Sequence, residues 1–470
     1  MEARLPLAVA AGKVVGLLSQ YLNVGGGTTY PGEITRRVDP RALAKMTARL
    51  QHRSIVITGT NGKTTTSRMV SNVLRSAGLR PVHNRAGANL ITGVTSAVLK
   101  SADLLGRPRA DIGLFEVDEA MFPSVVAEVR PRVMVMTNLF RDQLDRYGEV
   151  DYLARIWREA LQELAPAPGQ GLEAVVALNA DDPTVANLGR HISIPVLYFG
   201  LDDERYGSPG LQHTADVRYC PDCGNPLVYP LCYYGHVGKY RCDECGFSRP
   251  TPHVSARSVT LDGVDASTCE IETPRGPLTL RVHVPGLYNV YNTLAAVAGS
   301  LALDLPTEPI IAGVESLSAA FGRAEAVQIG DKKAFLALVK NPVGFNEVLR
   351  TLFSDEVVRP AMIIINDNIA DGTDISWLWD VDFELLPGKV SSVVVSGTRA
   401  EDMAMRLKYA GVDPSQVPIE VEKDLWTALQ SALAKISPGG TLYVLPTYTA
   451  MLEIRDVLQK RGYVGRFWQD

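Results

Sequence analysis

A largely apolar stretch, Ser54-Ile-Val-Ile-Thr58, runs into Gly59-Thr60-Asn61-Gly62-Lys63-Thr64-Thr65, and a helix-patterned segment follows. These residue types suit a phosphate. Backbone N–H groups of a glycine-rich turn and of a helix N-terminus face an anion, and the helix dipole favours it. Lys63 has the reach for the outer phosphates of a nucleoside triphosphate, and the Thr64 hydroxyl can ligate Mg²⁺. Gly59 and Gly62 are three apart, whereas the usual P-loop spaces its glycines five apart, so this is not a generic P-loop NTPase. A strand–turn–helix with an incidental Gly-Lys-Thr is the bland alternative, and the flanking periodicities count against it.

Three later segments carry polar groups where strands should end. Gly113-Leu-Phe-Glu-Val-Asp-Glu-Ala120 reads as an apolar strand closing in carboxylates. Glu116 is the candidate Mg²⁺ ligand, with Asp118 and Glu119 as neighbours. A solvated strand end would look the same, and the loop upstream favours the metal role. Thr137-Asn-Leu-Phe-Arg-Asp-Gln-Leu-Asp-Arg-Tyr-Gly148 gathers Asn138, Arg141, Asp142, Gln143, Asp145 and Arg146 within nine residues. Leu178-Asn-Ala-Asp-Asp-Pro183 offers Asn179, suited to an adenine edge, and Asp182, which can anchor the turn at Pro183.

Four of the six cysteines form two knuckles, Cys220-Pro-Asp-Cys223-Gly and Cys242-Asp-Glu-Cys245-Gly, with 18 residues between them. In a long chain this spacing favours a tetrahedral metal over disulfides. A closed set of four thiolates points to structural Zn²⁺, and iron is the minority reading. Cys232 and Cys269 read as packed thiols. His236 is surplus to a complete set.

The elements that must position these groups alternate. Strands are predicted at Ser54–Thr58, Ile112–Val117, Arg132–Asn138, Ala174–Asn179 and Val196–Phe199, with helices such as Thr64–Ser76 and Asp151–Leu164 between them. Alternation predicts a mostly parallel, doubly wound sheet with ligands at the strands' carboxyl ends. Asp216–Pro250 interrupts it as a small inserted module. Three strand-like runs follow (Ser258–Leu261, Ser267–Glu272, Leu278–Val284), then a helix at Asn289–Ala302, and Pro306 and Pro309 precede another. Near Gly330 a second, Rossmann-like α/β unit begins, with strands at Ala334–Val339, Ala361–Asn366, Ser391–Ser396 and Thr441–Leu445. Its helices are expected at Val343–Phe353, Arg399–Ala410, Asp424–Ile436 and Ala450–Arg461. The expected organisation is a lead-in over 1–50, an ATP-binding domain over 51–325 with the cysteine module at 216–250, and a C-terminal domain over 330–470. The lead-in holds an apolar helix within Leu5–Leu18 and a turn-rich piece, Gly25–Gly32, too little for a substrate domain.

The bulk numbers narrow the class. The 470 residues are 46% hydrophobic and 21% charged, which allows sizeable cores. A net charge of −5 argues against a broad nucleic-acid surface. No apolar run of membrane-spanning length occurs, and Lys13 makes a poor signal peptide of the N-terminal segment, so the expected compartment is the cytoplasm.

Taken in order, Gly59–Thr65, the Glu116 strand, Thr137–Gly148 and Leu178–Pro183 resemble the ATP-domain motifs of Mur ligases and folylpolyglutamate synthetases. So do Pro285-Gly-Leu-Tyr-Asn-Val-Tyr-Asn-Thr-Leu-Ala-Ala296 and Phe321-Gly-Arg-Ala-Glu325. The resemblance implies that Asn289 lies near the nucleotide and that Arg323 contacts phosphate, a role its charged fork suits. Departures narrow it further. Where amino-acid-adding Mur ligases usually carry a metal-ligating His, this chain has Gln143. The lysine they carbamylate is missing from Leu153-Ala-Arg-Ile-Trp-Arg158, the UDP-sugar-binding domain is absent, and the cysteine module is extra.

With Leu338-Val-Lys-Asn-Pro-Val-Gly-Phe-Asn346 and Ile365–Asp380, these features resemble the MurT family, the ligase-like subunits of lipid II isoglutaminyl synthase. The resemblance implies ATP- and Mg²⁺-dependent amidation of the D-glutamate α-carboxyl of the lipid II stem peptide, with ammonia from a GatD-like glutaminase partner. It also implies that an aspartate of the Asp367–Asp380 segment acts in amidation by completing the partner's Cys-His site, with Asp374 and Asp380 the leading candidates. A solvated loop with Asx turns is the alternative for each. Two other functions compete. A ligase joining an amino acid to a carboxylate is disfavoured by Gln143 and the missing lysine. A zinc-ribbon binding protein without catalysis is disfavoured by the intact Lys63-Thr64 loop.

Overall fold

The computed structural model describes residues 4–21, 29–84, 87–141, 150–164, 174–211, 215–262, 266–317, 324–353 and 355–465. Eleven strands belong to the first two thirds of it: β1 (Ser54–Thr58), β2 (Pro81–His83), β3 (Ile112–Glu116), β4 (Val133–Met136), β5 (Val175–Asn179), β6 (Val196–Leu201), β7 (Val228–Tyr234), β8 (Val237–Arg241), β9 (Val254–Asp262), β10 (Ala266–Glu272) and β11 (Leu278–Val282). All but β7 and β8 form one sheet in the order β11-β10-β9-β6-β5-β4-β1-β3-β2. It is parallel from β2 to β9 and antiparallel from β9 to β11. β1 lies between β3 and β4, where the chain's winding reverses, so its carboxyl end opens the crevice in which such sheets bind ligands.

β1 and β3 are buried along their whole length, which explains why their sequences are continuous apolar runs rather than alternating ones. One sheet face is covered by the helices Lys63–Ser76 and Leu287–Ala302. The second of these is rich in alanine and apolar nearly all round, as a helix sunk in a core must be. A Cβ at Gly299 would meet Val135 at 2.7 Å, so glycine lets this helix lie close on β4. The other face is covered by helices including Phe122–Val129 and Val150–Glu163, with Trp157 fully buried.

A second sheet holds β12 (Ala324–Ile329), β13 (Lys332–Ala337), β14 (Arg359–Ile364), β15 (Val390–Ser396), β16 (Ile419–Val421) and β17 (Thr441–Pro446), in the order β12-β13-β17-β14-β15-β16. β12 is antiparallel to β13 and the rest are parallel. This sheet therefore starts at Ala324, ahead of the expected Gly330, because the short hairpin through Gly330 folds β12 back on β13. The turn-rich reading of Gly25–Gly32 is also corrected where it can be seen: Tyr30–Val38 is a helix, with Pro31 in its first turn where proline is tolerated. Pro309 likewise sits inside the helix Thr307–Glu315 rather than before it. No helix among the described residues is long and apolar enough to cross a membrane.

Candidate active site

The loop after β1 is held by its glycines. Gly59 and Gly62 both take positive φ, +134° and +88°. A Cβ at Gly59 would meet Thr137 Oγ1 at 2.1 Å, and one at Gly62 would meet Asn292 Oδ1 at 2.0 Å. The loop is thus pressed between the end of β4 and the helix Leu287–Ala302. The Asn61 N–H donates to Asn138 Oδ1 at 2.8 Å, and Thr137 Oγ1 donates to the Asn61 carbonyl at 2.7 Å. Thr60 donates its N–H to the Asn138 carbonyl. Asn138 and Thr137 therefore shape the loop from the neighbouring strand.

The charged groups converge where β1 and β3 end. Thr64 Oγ1 donates to Glu116 Oε1 at 2.9 Å, so the expected Mg²⁺ pair is in contact. Lys63 Nζ donates to the Gly59 and Thr60 carbonyls and to Glu119 Oε2 at 3.0 Å. Glu116, Asp118 and Glu119 are all buried. Burial works against the Lys63 ammonium, but Glu119 and Glu116 more than offset it and hold its pKa above the ordinary value. Lys63 is a permanent cation in an acidic nest. Asn84 was not anticipated. Its amide brackets the Glu116 backbone, accepting from the N–H at 2.9 Å and donating to the carbonyl at 2.7 Å.

A cleft beside the loop is lined by Asn61, Gly62, Asn138, Asn289 and Asn292 from the first sheet's side and by Lys340, Val343 and Glu347 from the second. Asn292 donates to Asn289 Oδ1 at 2.9 Å, and Asn289 donates to the Pro285 carbonyl, which fixes both amides. Across the cleft Asn341 donates to Asn61 Oδ1 at 3.1 Å. Its own Oδ1 accepts the Gly344 N–H at 2.8 Å, at the start of the helix Pro342–Phe353. Tyr234, from the tip of the β7–β8 hairpin, completes one wall. Pairing over such sequence distances leaves no local signal, which is why Tyr234 and Asn84 escape a reading by motif, and why Asn341, though within the Leu338–Asn346 segment, gives no sign there of its partner on the loop.

Two expected nucleotide contacts are corrected. Asn179 is fully buried, donates to the Thr137 carbonyl at 2.8 Å and accepts the Asp181 N–H at 3.0 Å. It braces β5 against β4 instead of facing the cleft. Asp182 anchors the turn at Pro183 as expected, capping Thr184 and Val185, but its other oxygen takes the Leu139 N–H at 2.8 Å and it too is fully buried. Both sit one layer beneath the Thr137–Asn138 strand end. Arg323, Asp142, Gln143, Asp145 and Arg146 lie outside the described residues.

The four sulfurs of Cys220, Cys223, Cys242 and Cys245 lie within 4.8 Å of one another. Each knuckle closes the same way: Cys220 and Cys242 accept the N–H of Gly224 and Gly246, and both glycines take φ of +73°. The hairpin β7–β8 grows from this cluster and buries its tip against the first sheet. His236 is fully buried 3.4 Å from Asp182 Oδ2, with its ring 4.5 Å from that of Phe140, and takes no part in the cysteine cluster.

In the second sheet, Asp374 and Asp380 are exposed beyond the end of β14, outside the cleft lining. Asp374 accepts from the Ser376 N–H at 2.8 Å, a bond that holds its pKa below the usual carboxylate value. Asp371, in contrast, is buried and bonded to Thr449.

Two protein families match the chain: the Mur ligase middle domain over residues 57–223 and the MurT ligase C-terminal family over residues 338–451. Over 92% of its length the chain is 34% identical to the protein named lipid II isoglutaminyl synthase (glutamine-hydrolyzing) subunit MurT of Staphylococcus aureus strain N315, covering 93% of it. The protein of the same name from Streptococcus pneumoniae R6 is 31% identical over 98% of the chain and 99% of its own. Among solved structures, a pseudomurein peptide ligase type C from Methanothermus fervidus superposes with a TM-score of 0.67 at 22% identity, over 90% of this chain and 81% of that one. MurF from Acinetobacter baumannii gives 0.64 at 20% identity, over 91% and 80%. These two likenesses show the fold.

Proposed function

We propose that this chain, which belongs to the MurT family of Mur-type ligases, is the ATP-using subunit of a lipid II isoglutaminyl synthase and amidates a stem-peptide carboxyl group in peptidoglycan synthesis. One observation carries the reading beyond family membership. Lys63, Thr64, Glu116 and Glu119 meet at the carboxyl ends of β1 and β3, next to the loop residues Asn61, Gly62 and Thr65 that line a cleft walled by both sheets.

The chemistry follows from what a carboxylate lacks. It resists amines until one oxygen becomes a leaving group. In the proposed sequence a D-glutamate α-carboxylate oxygen bonds to the γ-phosphorus of ATP, ADP departs, and an acyl phosphate forms. Ammonia then attacks the carbonyl carbon, the carbon–oxygen bond to phosphate breaks, and the nitrogen gives up a proton. The loop amides hold the phosphates and Lys63 offsets the charge of the transferring group, so catalysis is mostly positioning and electrostatics. The hydroxyl–carboxylate pair of Thr64 and Glu116 suits Mg²⁺, a hard cation taking oxygen ligands, which would neutralise phosphate charge there. Arg323 is assigned a further phosphate contact, and Asn289 a place beside the nucleoside. The cysteine cluster is assigned structural Zn²⁺, supported by its closed set of four thiols and paired knuckle turns.

Ammonia arrives usefully only if it is unprotonated, which favours delivery from a docked GatD-like glutamine amidotransferase subunit. The exposure of Asp374 and Asp380 supports a role in which one of them completes that partner's catalytic site. The test supplies lipid II, ATP and Mg²⁺ with ammonium or with glutamine. Amidation by this chain alone with ammonium, and with glutamine only beside the partner, is the expected result. ATP turnover that demands a free amino acid and lengthens the peptide would overturn it.

A further inference from the structure

We propose that the outer face of the helix Arg4–Tyr21, with the adjoining Asp103–Arg109 loop, docks on an anionic lipid surface. The helix is apolar nearly all round, with Lys13 as the charged residue of its middle turns. Its inner face is committed: Leu5, Ala8 and Val9 are buried, and Gly12 packs so tightly that a Cβ there would meet Thr35 Oγ1 at 2.0 Å. The outer face is not. Leu7, Val14, Leu17 and Leu18 are 66, 55, 67 and 52% exposed. An apolar helix of this kind ordinarily lies buried, and here four of its large apolar side chains face outward.

The neighbouring loop extends the patch. Leu104 and Leu105 are 64 and 52% exposed and share a shallow depression with Lys13 of the helix, Lys100 and Arg109. Leu5 packs on Gly106, and Arg49 donates to the Leu105 carbonyl, so helix and loop form one surface. Five cations, Lys13, Arg49, Lys100, Arg107 and Arg109, surround it in a chain whose net charge is −5. Among the described residues Asp103 is the carboxylate in their midst. Exposed leucines rimmed by lysine and arginine match an interfacial membrane site, where apolar groups enter the headgroup boundary and cations meet anionic lipid. A second copy of the chain fits worse, because a two-fold contact would set the same cations against each other. The purpose of such docking rests on the proposed lipid-linked substrate; the docking itself does not.

The experiment is co-sedimentation of the full chain with phosphatidylglycerol vesicles and with phosphatidylcholine vesicles. Binding to the former, weakened by high salt and by Lys13→Glu/Lys100→Glu on the order of fivefold per charge, is expected. Leu17→Glu/Leu104→Glu should abolish it while leaving the thermal melt unchanged, since both side chains are exposed. Equal binding to the two vesicle types, or variants that bind as the parent does, would overturn the proposal. So would variants that keep vesicle binding but lose the amidotransferase subunit or shift the oligomeric state, which would make the face a protein interface. Vesicle binding by a chain that fails to amidate lipid II would leave this docking standing and remove the functional reading instead.

Discussion

Asn341 donates its side-chain amide to Asn61 Oδ1 at 3.1 Å, joining the start of a helix of the second sheet to the phosphate loop of the first. The bond ties the two halves of the cleft at the point where the nucleotide is proposed to lie. Asn341→Ala should raise the KM for ATP on the order of fivefold, the size of one ordinary hydrogen bond, and lower stability by about 1–2 kcal/mol, because its Oδ1 also takes the Gly344 N–H at the helix start. Steady-state kinetics with ammonium as the nitrogen source separate KM from kcat.

Lys63→Ala removes the cation from the nest of Glu119 and Glu116. Transition-state charge would go uncompensated, and amidation should fall by about 10²–10³. The carboxylates left behind are buried, so stability should also fall, by about 3 kcal/mol or more. Denaturant melts beside ammonium-dependent turnover distinguish the two losses, and turnover within a few-fold of the parent would sink the nucleotide assignment.

Glu347 gives a pH signature. Burial pushes its carboxyl up to about 7, against the opposing pull of Arg350. The folded chain then holds a proton that the unfolded chain releases near the ordinary value of 4.5, so stability should decline as pH rises from about 4.5 to 7. The group contributes about 3 kcal/mol to that slope. Denaturant titrations of the parent and of Glu347→Gln across this window should differ by that slope, the variant being flatter.

Metal removal should be felt at the cleft. The hairpin that grows from the cysteine cluster carries Tyr234 into the cleft wall. Cys242→Ser should lose bound zinc by elemental analysis, lower the melting temperature and weaken nucleotide binding several-fold in calorimetry. Iron in the purified parent would correct the metal.

Asn84→Ala takes two hydrogen bonds from the buried backbone of Glu116. A loss of about 2–3 kcal/mol is expected, with kcat reduced more than KM because the Glu116 carboxylate is displaced. Denaturant melts and kinetics on the same preparation check both.

The strands that carry chemistry were legible because they are buried on both faces. Ser54–Thr58 and the Glu116 strand are continuous apolar runs closed by polar residues, and the structure ends them within a residue of expectation. Short edge strands such as Pro81–His83 and Ile419–Val421 carry too little pattern to announce themselves. At the site, the loop Gly59–Thr65 and Glu116 could be read because their chemistry is local. Asn179 and Asp182 misled because a polar residue at a strand end looks the same whether it faces ligand or satisfies buried backbone. Only the packing, in which Thr137 and Leu139 take their hydrogen bonds, decides between the two.

The Asn61–Asn341 contact also sets a schedule. The partners are 280 residues apart, and a ribosome adds residues one at a time from the N-terminus. The first sheet can emerge and fold long before Asn341 and Glu347 exist, but the cleft then lacks a wall. ATP should stabilise that early intermediate less than the finished chain, because a ligand favours a form only as far as that form binds it. Full-strength nucleotide binding should therefore be acquired late in synthesis, and a chain truncated before the second sheet, which keeps the Gly59–Thr65 loop and Glu116 but loses one wall of the cleft, should bind ATP more weakly than the whole chain.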